Sequence, residues 1–364
     1  MKLTIEQPHL LAALTQAGAI VERKNTIPIL ANVLLTATLD GKLSIRATDL
    51  DIEVTTAAQA EVTDAGSATV SAGMLTDIIK RLAKGKVVQI DHADSTLHIT
   101  SGKSEYSLAT LPVGDFPQLA SDTYANTATM HANEFAALFA RTAFAVSTEE
   151  TRYYLNGVYI HNDATTGALT AAATDGHRLA MMVSPVDATV SSVIVPRKAV
   201  GEFKKLVDGD VTVETSDTKI RVTNGDLVMV SKVIDGTFPD YLRVIPADNN
   251  RIVNVDAKAL NDAIARVVPV SEDRARGVKL GVSSDGTMEL SVTSHVGTAT
   301  DEIETDYHGD AFNIGFNSKY LSEIIAQAES GGLEMAFGPS GSAAVIIRPE
   351  AIDGLMTVQM SMRI

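Results

Sequence analysis

The chain has 364 residues and a formal net charge of −15, from 30 Lys and Arg against 45 Asp and Glu, with no Cys and no Trp. Without Cys there is no disulfide framework, thiolate nucleophile or cysteine zinc site, and the acidic excess with 5% aromatics argues against a nucleic-acid partner unless positive charge gathers on one surface. No apolar run approaches the roughly 18 residues that span a bilayer and the start lacks a basic, then apolar leader, so a soluble cytoplasmic protein of two or three domains is expected.

In chain order, Leu10, Ala13, Leu14 and Ala17 mark one buried face of a first helix. "LDGK" and "TSGK" read as hairpin turns between period-2 strands. Leu75, Ile78, Ile79 and Leu82 mark a second helix, whose end carries Lys80, Arg81, Lys84 and Lys86. "GDFPQL" then closes the segment, with Pro117 expected to stop a strand and start a link.

The pattern then returns. Phe135, Leu138, Phe139 and Thr142 repeat the first stripe 125 residues later (135 minus 10), and Leu260, Ala263, Ile264 and Val267 repeat it after another 125 (260 minus 135). Second helices follow at Val200, Phe203 and Val207, where Arg197, Lys198, Lys204 and Lys205 are expected on the helix, and at Leu321, Ile324, Ile325 and Ala328. Strands are expected at Val211 and Val213, Ile220 and Val222, and Leu333, Met335 and Phe337, with turns at "TNGD" and "SSDGT" and a second closing motif, "GTFPDY". At about 120 residues each, the repeats are domains rather than solenoid units. The fold class is therefore α+β, three similar domains, each with two helices packed on antiparallel sheets, spanning 1–122, 123–246 and 247–364.

"TAAATDGHRLAMMV" (170–183) places an acid, a base and a cation at a tight turn. A hydrolytic triad needs a nucleophile on a strained turn, and the chain has neither G-x-S-x-G nor Cys. Two readings remain: a turn tied by Asp175 to its own backbone, or a binding groove with Gly176 allowing close approach. The echo "ATDLDIEV" (47–54) sits at the matching place in the first repeat. There Asp49, Asp51 and Glu53 read as alternating along one strand face, without the glycine and distal glutamate of a calcium loop, so no metal is expected. "SGKS" (101–104) lacks the first glycine of a phosphate loop and reads as a hairpin. The basic helices read either as solvated faces or as a phosphate-facing surface. "LMTVQMSMRI" reads as a last strand, with Met360 and Met362 as adaptable contact groups.

"PIL" (28–30), "RYYLNG" (152–157), "ATDGHRLA", "VIVPRK" (193–198), "FPDY" (238–241), "GFN" (315–317) and the terminal "MRI" stand in the order and spacing of a known set. Over its whole length the chain resembles the beta-subunit sliding-clamp family of bacterial DNA polymerase III. The resemblance implies three DNA-clamp domains per chain and a head-to-tail ring homodimer around double-stranded DNA, without sequence readout. It implies a non-catalytic processivity subunit with no cofactor and no membrane association. Its partners would be the DNA polymerase III catalytic subunit, the clamp loader, and other polymerases and repair proteins that carry a clamp-binding motif.

Carried over residue by residue, the partner-peptide groove matches Leu155, Thr174, Gly176, His177, Arg178, Leu179, Pro239, Val244, Val358, Met360, Met362 and Arg363, and an adjacent subsite matches Arg152, Tyr154, Asn317 and Tyr320. Lys24, Lys80, Arg197 and Lys198 would face DNA, and Tyr106, Leu108, Val268 and Val270 would sit at the dimer junction. The chain departs from the family pattern at Gly73, Glu149, Ser342, Ala344 and Ser361. The alternative from the enzyme class is a metal-dependent hydrolase using Asp49, Asp51 and His177.

Overall fold

In a computed structural model, the structure describes residues 1–22, 26–271, 276–329, 331–339 and 344–363. The apolar stripes form helices because their buried positions recur every three to four residues. The first stripe is α1 (Gln7–Gly18), with Leu10, Ala13, Leu14 and Ala17 all buried. The others form α2 (Ala72–Arg81), α3 (Ala132–Ala140), α4 (Arg197–Phe203), α5 (Ala257–Val267) and α6 (Ser318–Ile325). Side-chain oxygens of Ser71, Asp256 and Asn317 cap the N-termini of α2, α5 and α6.

Three expectations are corrected. α4 ends at Phe203, so Lys204 and Lys205 lie beyond it and Val207 is 56% exposed; Leu206 turns inward instead, before the Asp208-Gly209 turn. Pro117 and Pro239 do not stop strands, since the preceding strands end at Ala109 and Lys232. Asp49 and Asp51 occupy the turn between the strands Lys42–Thr48 and Ile52–Gln59, not a strand face, and Glu53 is buried.

Contacts group the chain into two units: Met1–Asn133 with Thr189–Ser191 and Lys205–Val233, and Glu134–Ala188 with Ser192–Lys204 and Ile234–Ile364. The grouping follows the sheets. Unit one holds an eight-stranded sheet in the spatial order Asn126–His131, Asp210–Thr215, Lys219–Asn224, Leu227–Lys232, Ile52–Gln59, Lys42–Thr48, Asn32–Thr38 and Gly66–Ser71. Strands from the first and second sequence repeats therefore share one ladder, joined where Val230 pairs with Glu53. A second, five-stranded sheet has the strand Ser104–Ala109 at its edge. α1 packs on α2 and on the strands Lys42–Thr48 and Ile52–Gln59.

Unit two repeats the device. Its eight-stranded sheet runs Val193–Pro196, Gly157–Asn162, Leu169–Thr174, Arg178–Val183, Leu355–Met360, Ala344–Pro349, Gly332–Phe337 and Arg251–Asp256. The junction is again antiparallel, with Leu179 opposite Val358. A four-stranded sheet has Gly297–Glu304 at its edge, and α5 packs on that strand and on α6. Phe135, Phe139 and Phe203 bind α3 to α4, with ring centroids 5.0 to 5.5 Å apart.

Candidate functional site

The site is built in unit two around the turn between the strands Leu169–Thr174 and Arg178–Val183. Thr174 Oγ1 donates to the Arg178 carbonyl (2.6 Å) and accepts from Gly176 N (3.1 Å). Asp175 Oδ1 accepts from His177 N (2.9 Å) and Arg178 N (3.1 Å). The Asp side chain thus replaces a backbone acceptor and fixes the turn. Gly176 has φ +89°, and a Cβ there would stand 2.6 Å from Arg152 Nη1, so glycine lets the chain bend under the guanidinium.

Beside this turn, Leu155, Leu179 and Val358 are buried in one cluster with Ile194, Phe238 and Tyr241. They make an apolar floor. The rim is open: Val244 is 51% and Met360 42% exposed, and Pro239 is exposed. The tail is held against the turn where Met360 N donates to the His177 carbonyl (2.9 Å) and Met362 N to the Gly315 carbonyl (2.8 Å), leaving Arg363 exposed. An apolar floor with exposed rim groups and a few fixed polar ones is the chemistry of a docking groove rather than of bond cleavage.

Arg178 is 7% exposed, and its fork is fully engaged. Nε donates to Asp175 Oδ2 (3.1 Å), Nη1 to Glu323 Oε2 and Nη2 to the Phe144 carbonyl (2.5 Å). The guanidinium also lies over the Tyr320 ring, 4.4 Å from its centroid. Arg178 therefore braces the turn against α6. In the adjacent subsite, Arg152 clamps Glu149 (2.9 and 2.7 Å), which holds the Glu149 carboxyl below its ordinary range. His177 stacks on Tyr320 at 6.0 Å, and burial pushes the Tyr320 hydroxyl upward. Asn317 Oδ1 accepts from Lys319 N and Tyr320 N, so this subsite residue is also the cap of α6.

Residue-by-residue matching omits Phe238, Tyr241 and His161. Tyr159 stacks on both Phe238 and His161, and a 2.9 Å hydrogen bond joins His161 Nε2 to the Tyr241 hydroxyl. Burial lifts Tyr241 to about 12. "FPDY" carried the signal for Phe238 and Tyr241; nothing local pointed to His161. Leu242, 51% exposed, adds to the open rim.

Of the other expected positions, Lys24 and Ser342 lie outside the described residues. Lys80 is exposed in the last turn of α2 in unit one, and Arg197 and Lys198 are exposed at the start of α4 in unit two. Gly73 lies on α2 with open space at its missing Cβ. Tyr106 and Leu108 sit on the edge strand of the five-stranded sheet, and Tyr106 lines a cavity of about 680 Å³ with Leu14, Met74 and Ile78. Val268 and Val270 are half-buried on a short 3-10 turn after α5. The hydrolase alternative is not favoured: Asp49 Oδ1 already caps its turn through Asp51 N and Ile52 N, and among the described residues no group of three or more His, Asp or Glu is placed to hold a metal. No helix among them is long and apolar enough to cross a membrane.

An α+β chain of repeated segments, with an apolar floor and an open rim beside a hydrogen-bonded turn and no reacting group placed there among the described residues, has the build of a scaffold rather than of an enzyme. Three successive family models match it, the DNA polymerase III beta subunit N-terminal domain over residues 1–120, the central domain over 129–240 and the C-terminal domain over 242–363, and the chain belongs to that family. It is 41% identical to a beta sliding clamp from Caulobacter vibrioides and 33% identical to one from Escherichia coli, each over the full length of both chains. A crystal structure of a DnaN sliding clamp from Bartonella birtlesii bound to griselimycin matches with a TM-score of 0.95 at 38% identity, covering all of both chains. The function is accordingly that of a DNA sliding clamp, a non-catalytic processivity subunit of DNA polymerase III.

Proposed function

We propose that the chain acts as a ring-shaped homodimer that encircles duplex DNA, with three domains per chain limited near residues 122 and 246. The ring is closed by Tyr106 and Leu108 of one protomer against Val268 and Val270 of its partner. Two features support this closure: Ser104–Ala109 and Gly297–Glu304 are each the edge of a sheet, with backbone groups free to pair, and the cavity beside Tyr106 is of a size to take apolar side chains. Lys80, Arg197 and Lys198 then meet phosphates through exchangeable contacts that let the protein slide. The polymerase catalytic subunit, the clamp loader and repair proteins dock in turn through the groove. Griselimycin, bound by the Bartonella relative, is expected to compete with them there.

The groove carries the reading: its floor is buried and apolar, its rim is exposed, and the turn beside it is fixed by hydrogen bonds rather than by a reacting group. The test is retention after loading onto nicked circular DNA in high salt, compared with the same DNA linearised. An electrostatic binder loses affinity on both DNAs with a log-log slope of about −0.9 per phosphate neutralised. Retention on circles with rapid loss from linear DNA is the expected result; equal loss from both would overturn the encircling clamp.

A further inference from the structure

Unit two also holds a polar cavity of about 570 Å³, which borders the groove turn through His177 and Arg178 and the subsite through Tyr320. Glu149, Asp175 and Glu323 border it, but each is already occupied: Glu149 by Arg152, Asp175 by Arg178 and two backbone N–H groups, and Glu323 by Arg178. Arg178 is used up in the same contacts. Two further cations complete the wall, Arg197 and Lys319, both exposed. Lys319 Nζ makes a long ion pair with Glu323 Oε1 at 3.9 Å, without a hydrogen bond, and no ion pair among the described residues engages Arg197. With Arg152 counted, four cations (Arg152, Arg178, Arg197 and Lys319) face three carboxylates (Glu149, Asp175 and Glu323), an excess of one positive charge at one end of an apolar groove.

We propose that this cavity extends the groove and receives an acidic side chain of the docked segment, read by Arg197 and Lys319. This rests on the peptide-docking reading of the groove. A segment lying along the apolar floor and leaving past His177 and Tyr320 brings its next side chains to the cavity mouth. A carboxylate there gains Arg197 and shares Lys319 with Glu323, without displacing any existing hydrogen bond. A neutral amide gains neither charge. A segment leaving past Pro239 and Val244 would not meet the cavity, which none of those rim residues lines. The cavity thus gives the groove a direction: acid is favoured at one end only.

The experiment is fluorescence anisotropy on the full-length protein with three fluorescein-labelled dodecapeptides. All carry a central Leu-Phe pair in a Gln-rich background; one has Glu three residues before the pair, one has Glu three residues after it, and one has none. One acidic peptide, and not the other, is expected to bind about fivefold tighter than the neutral peptide, with the gain shrinking as salt rises. Arg197→Ala and Lys319→Ala each reduce that gain to under twofold and leave the neutral peptide's Kd unchanged. Met362→Ala with Arg363 removed weakens all three. If the neutral peptide binds and neither acidic peptide gains, or if the gain survives in the Arg197→Ala, Lys319→Ala double variant, the cavity's assignment is overturned while the groove stands. A result in which Arg197→Ala lowers retention on DNA while the acidic peptide keeps its full gain would leave Arg197 a phosphate contact alone and also overturn it. Failure of every peptide to bind would overturn the groove as well.

Discussion

The same turn is built twice, and only one copy borders a groove. In unit one, Thr48 Oγ1 donates to the Ile52 carbonyl (2.9 Å) and accepts from Leu50 N (3.1 Å), and Asp49 Oδ1 accepts from Asp51 N (3.0 Å) and Ile52 N (2.7 Å). Each bond has its counterpart at Thr174 to Arg178 in unit two. The third residue is left-handed in both, φ +81° at Leu50 and +89° at Gly176. Even the strand laid alongside is tied alike: Lys232 N donates to the Asp51 carbonyl and Met360 N to the His177 carbonyl, both at 2.9 Å.

The side chains differ. Where unit two has Leu179 as floor, unit one has Glu53, buried and accepting from Leu119 N (3.1 Å). Where unit two has His177 and Met360, unit one has Asp51 and Lys232 as an exposed ion pair at 3.0 Å. The end of "FPQL" is held by Glu53 at Leu119 N, and just after it Lys219 Nζ holds the Ala120 carbonyl at 2.7 Å. The segment after "FPDY" keeps Leu242 and Val244 open. The backbone turn is architecture; docking capacity comes from the residues substituted onto it.

The largest break in this comparison is at its fifth position. Arg178→Ala leaves Asp175, Glu323 and the Phe144 carbonyl without their common donor, whereas the corresponding Ile52 in unit one makes no such bonds. A loss of roughly 2–4 kcal/mol is expected, below the fully buried limit because Glu323 is about a third exposed. Thermal unfolding reads it as a lowered midpoint, and weakened peptide affinity should accompany it. A wild-type midpoint would mean that Arg178 does not brace the turn.

Next in size is high pH, which separates the two link segments. Tyr241, 5% exposed and lifted to about 12, anchors the groove rim through His161, while the link of unit one has no tyrosine in that role. Because the folded-state value lies above the ordinary value of 10.0, the contribution is complete below pH 10 and is lost as pH rises toward 12. Tyrosinate absorbance should show one group titrating about two units late, and groove affinity should fall across that window. Tyr241→Phe removes the late group; its persistence would assign the shift elsewhere.

How much of this was legible is itself uneven. "ATDGHRLA" and "ATDLDIEV" announced the turn because its bonds are local, between residues two to four apart. The brace was not legible, since Glu323 stands 145 positions from Arg178 and the Phe144 carbonyl 34 away, and a lone arginine beside an aspartate carries no sign of either. Helix faces were read well wherever the apolar period was unbroken, as in α1 and α5. At Val207 the period ran on past the helix end, because spacing alone does not register that Leu206 has taken the inward position. Glu53 was misread for the same kind of reason: alternation marks a strand face but not which face finds a partner for a buried carboxylate.

The smallest effect isolates the backbone. Gly176→Val forces a branched side chain into a left-handed position and drives Arg152 away from Glu149, costing roughly 1–2 kcal/mol, with loss of peptide binding. Leu50→Gly makes the opposite change in the same turn. Relief of left-handed strain there is about 1–2 kcal/mol, but glycine's extra freedom in the unfolded chain returns about 0.5–1 kcal/mol, and the partly covered Leu50 side chain loses its contacts. The net should lie within about 1 kcal/mol of wild type, so a midpoint shift much smaller than that of Gly176→Val is expected. If Leu50→Gly were as damaging as Gly176→Val, then Leu50 would be held by packing rather than merely tolerated, and the two turns would not be equivalent at the level of the backbone.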